Sequence, residues 1–64
     1  MKLQQIKQAV QDGKNVHWKN ARYTVVFDGI RYLIKDFTGS CIGLTWADGL
    51  TLNGKEEDFY LGDD

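Results

Sequence analysis

The apolar positions of this chain change period once, and the change divides it in two. Over residues 2–11, Leu3, Ile6, Ala9 and Val10 fall three or four apart, with Lys and Gln between them. That spacing predicts a helix with one apolar stripe. Asp12-Gly13 ends it, because glycine accepts the left-handed conformation that closes a helix. About three turns do not hold alone in water, so the stripe must dock on the rest of the chain.

From Val16 onward the period is two. Val16 and Trp18 flank His17. Tyr23, Val25 and Phe27 alternate with Thr24 and Val26. Ile30, Tyr32 and Ile34 alternate with Arg31, Leu33 and Lys35, and Ile42, Leu44 and Trp46 continue the pattern. Strands are predicted over 16–18, 23–27, 30–35, 41–46 and 50–53. A short helical turn at 55–58 and a last strand at 59–61 follow.

Two Asp-Gly pairs set the hairpins. A two-residue turn at Asp28-Gly29 pairs Phe27 with Ile30, Val25 with Tyr32 and Tyr23 with Ile34, keeping the apolar side chains on one face. At Asp48-Gly49 a three-residue loop with a glycine bulge pairs Trp46 with Leu50 and Leu44 with Leu52. That places Ile42, Leu44, Trp46, Leu50 and Leu52 in the shared core. Lys19–Arg22 reads as a four-residue turn, and Phe37–Ser40 links the hairpins. Asn53 and Glu56 have the spacing of a capping box. Gly62-Asp63-Asp64 reads as a frayed end. The expected fold is one α+β domain over 1–64: an N-terminal helix, then a strongly bent antiparallel sheet of four to five strands, of SH3-like barrel type.

Composition narrows the chemistry. Sixty-four residues bury little surface, so stability must come from good packing or from self-association, and a homodimer is one expectation. Hydrophobic residues make up 42% of the chain and eight of them are aromatic, enough for a core. One cysteine, Cys41, forbids an internal disulfide. One histidine, His17, leaves too few ligands for a Cys/His zinc site. The missing proline, the lone thiol and the lack of a long apolar run point to a cytoplasmic protein with no membrane segment.

A catalytic triad needs a base, a nucleophile and an orienting group. His17 and Cys41 both fall in the phase opposite the aromatic core, and they meet only if the sheet edges meet. Glu56, Glu57 and Asp58 are consecutive, so they point in different directions and do not form an acid/base pair. No glycine pattern cradles phosphate. The expectation is a protein without catalytic residues, metal or cofactor.

The stretch Gly13–Tyr60 carries Val16-His17-Trp18-Lys19-Asn20, Tyr32-Leu33-Ile34, Ile42-Gly43-Leu44-Thr45-Trp46 and Leu52-Asn53-Gly54-Lys55-Glu56-Glu57-Asp58-Phe59-Tyr60. In these it resembles small uncharacterised proteins of bacteriophages, prophages and plasmids. The resemblance assigns no residue a role. It implies a context, a bacterial host cell, in which proteins of this size often act by binding a host protein. Inhibitors of bacterial defence systems, anti-CRISPR-like proteins among them, are one such class.

Charge is split along the chain although the net is −1. Residues 1–35 hold seven basic side chains against Asp12 and Asp28. Residues 36–64 hold Lys55 against Asp36, Asp48, Glu56, Glu57, Asp58, Asp63 and Asp64. Lys19, Arg22, Arg31 and Lys35 form a candidate basic face, with Val26 and Leu33 among them. Three things can offset it: the chain's own acidic segment, a nucleic acid, or an acidic protein surface. Asp48, Glu56, Glu57 and Asp58 form a candidate acidic surface, which would act by mimicking phosphates. The function expected is binding and modulation of a host protein complex. The alternative is a small nucleic-acid-binding domain that uses the basic and aromatic sheet face.

Overall fold

A computed structural model describes residues 1–62; Asp63 and Asp64, which belong to the acidic half and the expected frayed end, lie outside the described residues. Helix α1 runs Leu3–Gln11. Gln5 Oε1 accepts the Lys2 N–H at 2.9 Å, satisfying one free donor of the first turn. At the other end Gly13 takes φ +81°, its N–H donates to Val10 O, and Lys14 N–H donates to Ala9 O. These two bonds close the helix as a Schellman motif.

The strands are β1 (Val16–Trp18), β2 (Asn20–Phe27), β3 (Tyr32–Asp36), β4 (Cys41–Gly43) and β5 (Phe59–Leu61), with one 3₁₀ turn at Glu56–Asp58. They form one antiparallel sheet in the order β4-β3-β2-β1-β5. The last strand therefore pairs with the first, and β4 and β5 are opposite edges. The sheet is open and curled, so the barrel expected from sequence does not close.

Residues 44–58 carry the chain from one edge to the other, beneath the face that α1 covers. Leu44 and Phe59 are buried there with Ile6, Ala9, Val16, Val25 and Ile34, and Leu52 packs against them. Ile6, Ile34, Leu44 and Val16 are fully enclosed. Each such aliphatic side chain contributes about 1.5–3 kcal/mol relative to exposure. Tyr32 anchors the helix from the side: Gln11 Nε2 donates to its hydroxyl at 2.8 Å, and Lys7 Nζ stands 5.5 Å from its ring centre.

Both hairpin registers differ from expectation, for the same reason. Phe27 pairs with Tyr32, Val25 with Ile34 and Tyr23 with Asp36. The slip is two residues, so every side chain keeps its predicted face while Ile30 leaves the ladder. The Asp28 carboxylate accepts the N–H groups of Ile30 and Arg31 at 2.8 and 2.6 Å. That side-chain turn holds four residues, 28–31, out of the strands.

Asp48 does the same to Leu50 and Thr51, at 2.9 and 3.0 Å, and also accepts the Thr51 hydroxyl at 2.7 Å. Thr45 consequently opposes Leu52, and Trp46 N–H donates to Thr51 O. The bulged three-residue loop is not formed. Strand β4 stops at Gly43 rather than at 46, residues 50–53 make a single bridge rather than a strand, and β3 begins at Tyr32 rather than at 30. Trp46 and Leu50 are exposed instead of buried, and Ile42 is half exposed.

Two smaller expectations also change. Lys19–Arg22 is not a four-residue turn. Lys19 alone turns the chain at φ +65°, β2 resumes at Asn20, and residues 21–23 bulge before Thr24 meets His17. Asn53 does not cap the 3₁₀ turn, because its Nδ2 donates to Gly43 O at 3.1 Å. Gly54 lies against the Trp18 indole, where a Cβ would come within 2.9 Å of Nε1. Its φ of +136° excludes side chains on its own account.

Candidate interaction surfaces

Residues directly opposed across a ladder share a face. The registers therefore read out the sheet surface that α1 does not cover. One row crosses all five strands: Cys41, Lys35, Thr24, His17 and Tyr60. A shorter row beside it holds Gly43, Leu33 and Val26. Their neighbours Val25 and Ile34 point the other way, into the core.

His17 is fixed within this face. Its Nδ1 lies 3.0 Å from Tyr23 O, and a carbonyl only accepts, so the proton of the neutral ring is on Nδ1. The ring packs on Tyr60 at 5.5 Å between centres and abuts the Gly62 backbone. Cys41 lies in the same row three strands away, about 14 Å at the usual strand spacing. The two do not meet, because the edges of the sheet do not.

The four basic residues expected on one face divide. Arg22 lies two residues along β2 from Thr24, the partner of Lys35, and its guanidinium stands 5.5 Å from the Phe37 ring centre. Strand alternation puts Arg22 and Lys35 on the same uncovered side. Arg31 belongs to the 28–31 turn, about 20 Å from Arg22 along the strand direction. There its Nε is 4.0 Å from the Asp28 carboxylate. Lys19 lies at the other turn, its Nζ 4.3 Å from the Trp18 ring centre. The structure brings Arg22 and Lys35 together and leaves Arg31 and Lys19 apart.

The acidic residues also divide. Asp48 holds its own turn. Glu56, Glu57 and Asp58 form the 3₁₀ turn beside the start of α1, where the Met1 amine donates to Glu56 O and Asp58 O accepts the Lys19 N–H. Glu56 and Glu57 share a shallow depression with Lys2 and Lys55. Glu56, Glu57 and Asp58 thus lie beside the β5 edge and do not fold across Arg22 and Lys35. Among the described residues no three His, Cys, Asp or Glu side chains stand close enough to hold a metal ion. No described helix is long and apolar enough to cross a membrane.

Three carboxylates are held below the ordinary range for aspartate. For Asp28 the main cause is the Arg31 N–H, then that of Ile30. For Asp36 it is the Thr38 hydroxyl at 2.6 Å, joined by the N–H groups of Thr38 and Ser40. For Asp48 it is the Thr51 N–H, then that of Leu50. Each bond favours the charged form.

A second surface was not legible in the hydrophobic pattern. The 28–31 and 47–50 turns lie at one end of the sheet and border a cleft of about 640 Å³ lined by Ile30, Arg31, Leu33, Gly43, Trp46 and Lys7, among others. Ile30, Trp46 and Leu50 stand exposed around it. Periodicity assigned these three side chains to the core. The available signal was the aspartate before each glycine, whose carboxylate can hold the two N–H groups after that glycine and widen the turn.

No protein-family model matches the chain, and neither a curated protein nor a solved structure matches it.

Proposed function

We propose that this chain is a non-enzymatic binding protein of phage or mobile-element type, which acts inside a bacterial cell by docking on a host protein complex. The observation that carries the reading is the uncovered sheet face. Arg22 and Lys35 border one side of half-buried Val26 and Leu33, and the cross-strand rows of this face contain no carboxylate. Apolar centres with a charged rim are how protein interfaces are built. The chain's own acidic turn lies elsewhere, so the cations are left for an acidic partner surface. Inhibition of a defence complex by steric blocking is the specific form the resemblance suggests.

A second reading, single-stranded nucleic acid, draws on exposed Phe37 beneath Arg22 and on Tyr60 over His17. Bases stack on such rings while cations meet the phosphates.

One experiment separates the two. The tagged protein and its Arg22→Glu/Lys35→Glu variant are used to capture partners from nuclease-treated bacterial lysate at moderate salt. A protein held by the wild type and weakened roughly tenfold or more by the double reversal supports the proposal. Capture that vanishes with nuclease, together with direct binding of a labelled single-stranded oligonucleotide, replaces it with the second reading. Equal capture by both proteins removes the sheet face from the argument.

A further inference from the structure

The end of the molecule opposite Arg22 and Phe37 is apolar for a different reason from the sheet face. The Asp28 and Asp48 turns push their aliphatic residues out of the ladders. Ile30 is 87% exposed, Leu50 81% and Trp46 59%. At roughly 150–250 Å² for a large side chain, these three present about 400 Å² of mostly apolar surface. That is the size of the largest apolar patch on a typical monomer, about 300–600 Å², and such a patch is often a contact surface.

The charges around the patch are balanced. Lys7 and Arg31 line the cleft, and Asp28 and Asp48 lie in the turns that border it. An acidic or basic partner gains nothing from such a rim. A surface meeting its own copy across a two-fold axis needs both signs within one patch, so that cations of one protomer can face carboxylates of the other. The core is also small, with seven buried hydrophobic residues among the described residues, and domains of this size commonly gain stability by association.

We infer that the turn end, centred on Ile30, Trp46 and Leu50, is a self-association surface through which two copies of this chain form a two-fold dimer. The apolar area falls short of the ~800 Å² per partner of a standard interface, so the dimer is weak and concentration-dependent. The dimer surface borders the sheet face at Leu33 and Gly43, and Arg22 and Lys35, at the other end of that face, stay free in it. This inference stands independently of the proposed partner.

Sedimentation velocity of the full chain from about 5 to about 500 µM tests it, a range that brackets interfaces smaller than standard size. The weight-average mass of the wild type rises from 7.3 kDa toward twice that value. Trp46→Glu/Leu50→Glu stays monomeric throughout, and Arg22→Glu/Lys35→Glu dimerises like the wild type. Ile30→Glu is the second variant. It alters one side chain on an exposed turn, so it decides the matter if the double variant loses its near-ultraviolet circular dichroism. A wild type that stays monomeric at the highest concentration overturns the inference. So does association that survives Ile30→Glu, which would place the contact at a sheet edge. Growth beyond the dimer overturns the two-fold arrangement in favour of head-to-tail contact.

Discussion

Asp28, Asp36 and Asp48 each use a carboxylate to hold the backbone N–H groups that follow, and all three titrate below the ordinary aspartate value as a result. The consequence for stability has a definite sign. A carboxylate whose folded pKa is depressed stabilises the fold above its unfolded pKa, about 3.9, and that contribution is lost as pH falls through the lower folded value. The protein is therefore expected to lose thermal stability as pH falls below about 4. Asparagine at the three positions keeps an acceptor oxygen for the turn and removes the titrating charge. A series of melting curves should find the triple Asn variant less stable than wild type at pH 6 and much flatter in its pH dependence below pH 4. Identical acid limbs for the two proteins would show that these turns do not govern acid unfolding. The residue scale also explains the register. Asp-Gly was legible as a turn, but the range of the aspartate oxygen, two to three residues onward, decided that four residues and not two leave the strands.

Among the elements, β2 is the one on which the two faces are most sharply divided. Val25 is 3% exposed and faces Ile34 and the helix, whereas Val26 pairs with Leu33 on the uncovered side. Truncating the first leaves a cavity under α1, and truncating the second removes a side chain already half in water. Val25→Ala is expected to cost about 2 kcal/mol more than Val26→Ala in urea unfolding monitored by fluorescence. Equal costs would mean that something covers the outer face. This division was readable from sequence because alternation is local: a strand presents successive side chains to opposite sides whatever it pairs with. The two-residue slip at the first hairpin preserved it. At the second hairpin the displaced register set Trp46 opposite Thr51 rather than Leu50, and there the apolar pattern misled. An apolar residue in phase with a strand reaches the core only if the strand continues that far, and β4 ends at Gly43.

For the whole molecule, the strand order places β2 at the centre, flanked by β3 and β1, with β4 and β5 at the edges and β5 recruited from far along the chain. Local opening free energies should follow that order. In native-state hydrogen exchange the amides of Val25 and Ile34 are expected to be among the slowest, with those of Ala47–Leu50 exchanging faster by orders of magnitude. Protection of the 47–50 amides that grows with protein concentration would be the signature of the turn-end dimer. The helix, its glycine stop, the alternation of the strands and the positions of the two Asp-Gly turns were all in the sequence, because each depends on residues within a few positions of one another. The tertiary structure alone decided that the first and last strands pair, that the sheet stays open, that Arg31 and Lys19 stand apart from Arg22 and Lys35, and that Ile30, Trp46 and Leu50 face water. Those outcomes rest on contacts between distant segments and on where the ladders begin and end. At the first hairpin a two-residue slip leaves the hydrophobic pattern unchanged, so the pattern could not choose between registers; at the second a one-residue shift ran against the pattern, and at both the aspartate turn decided.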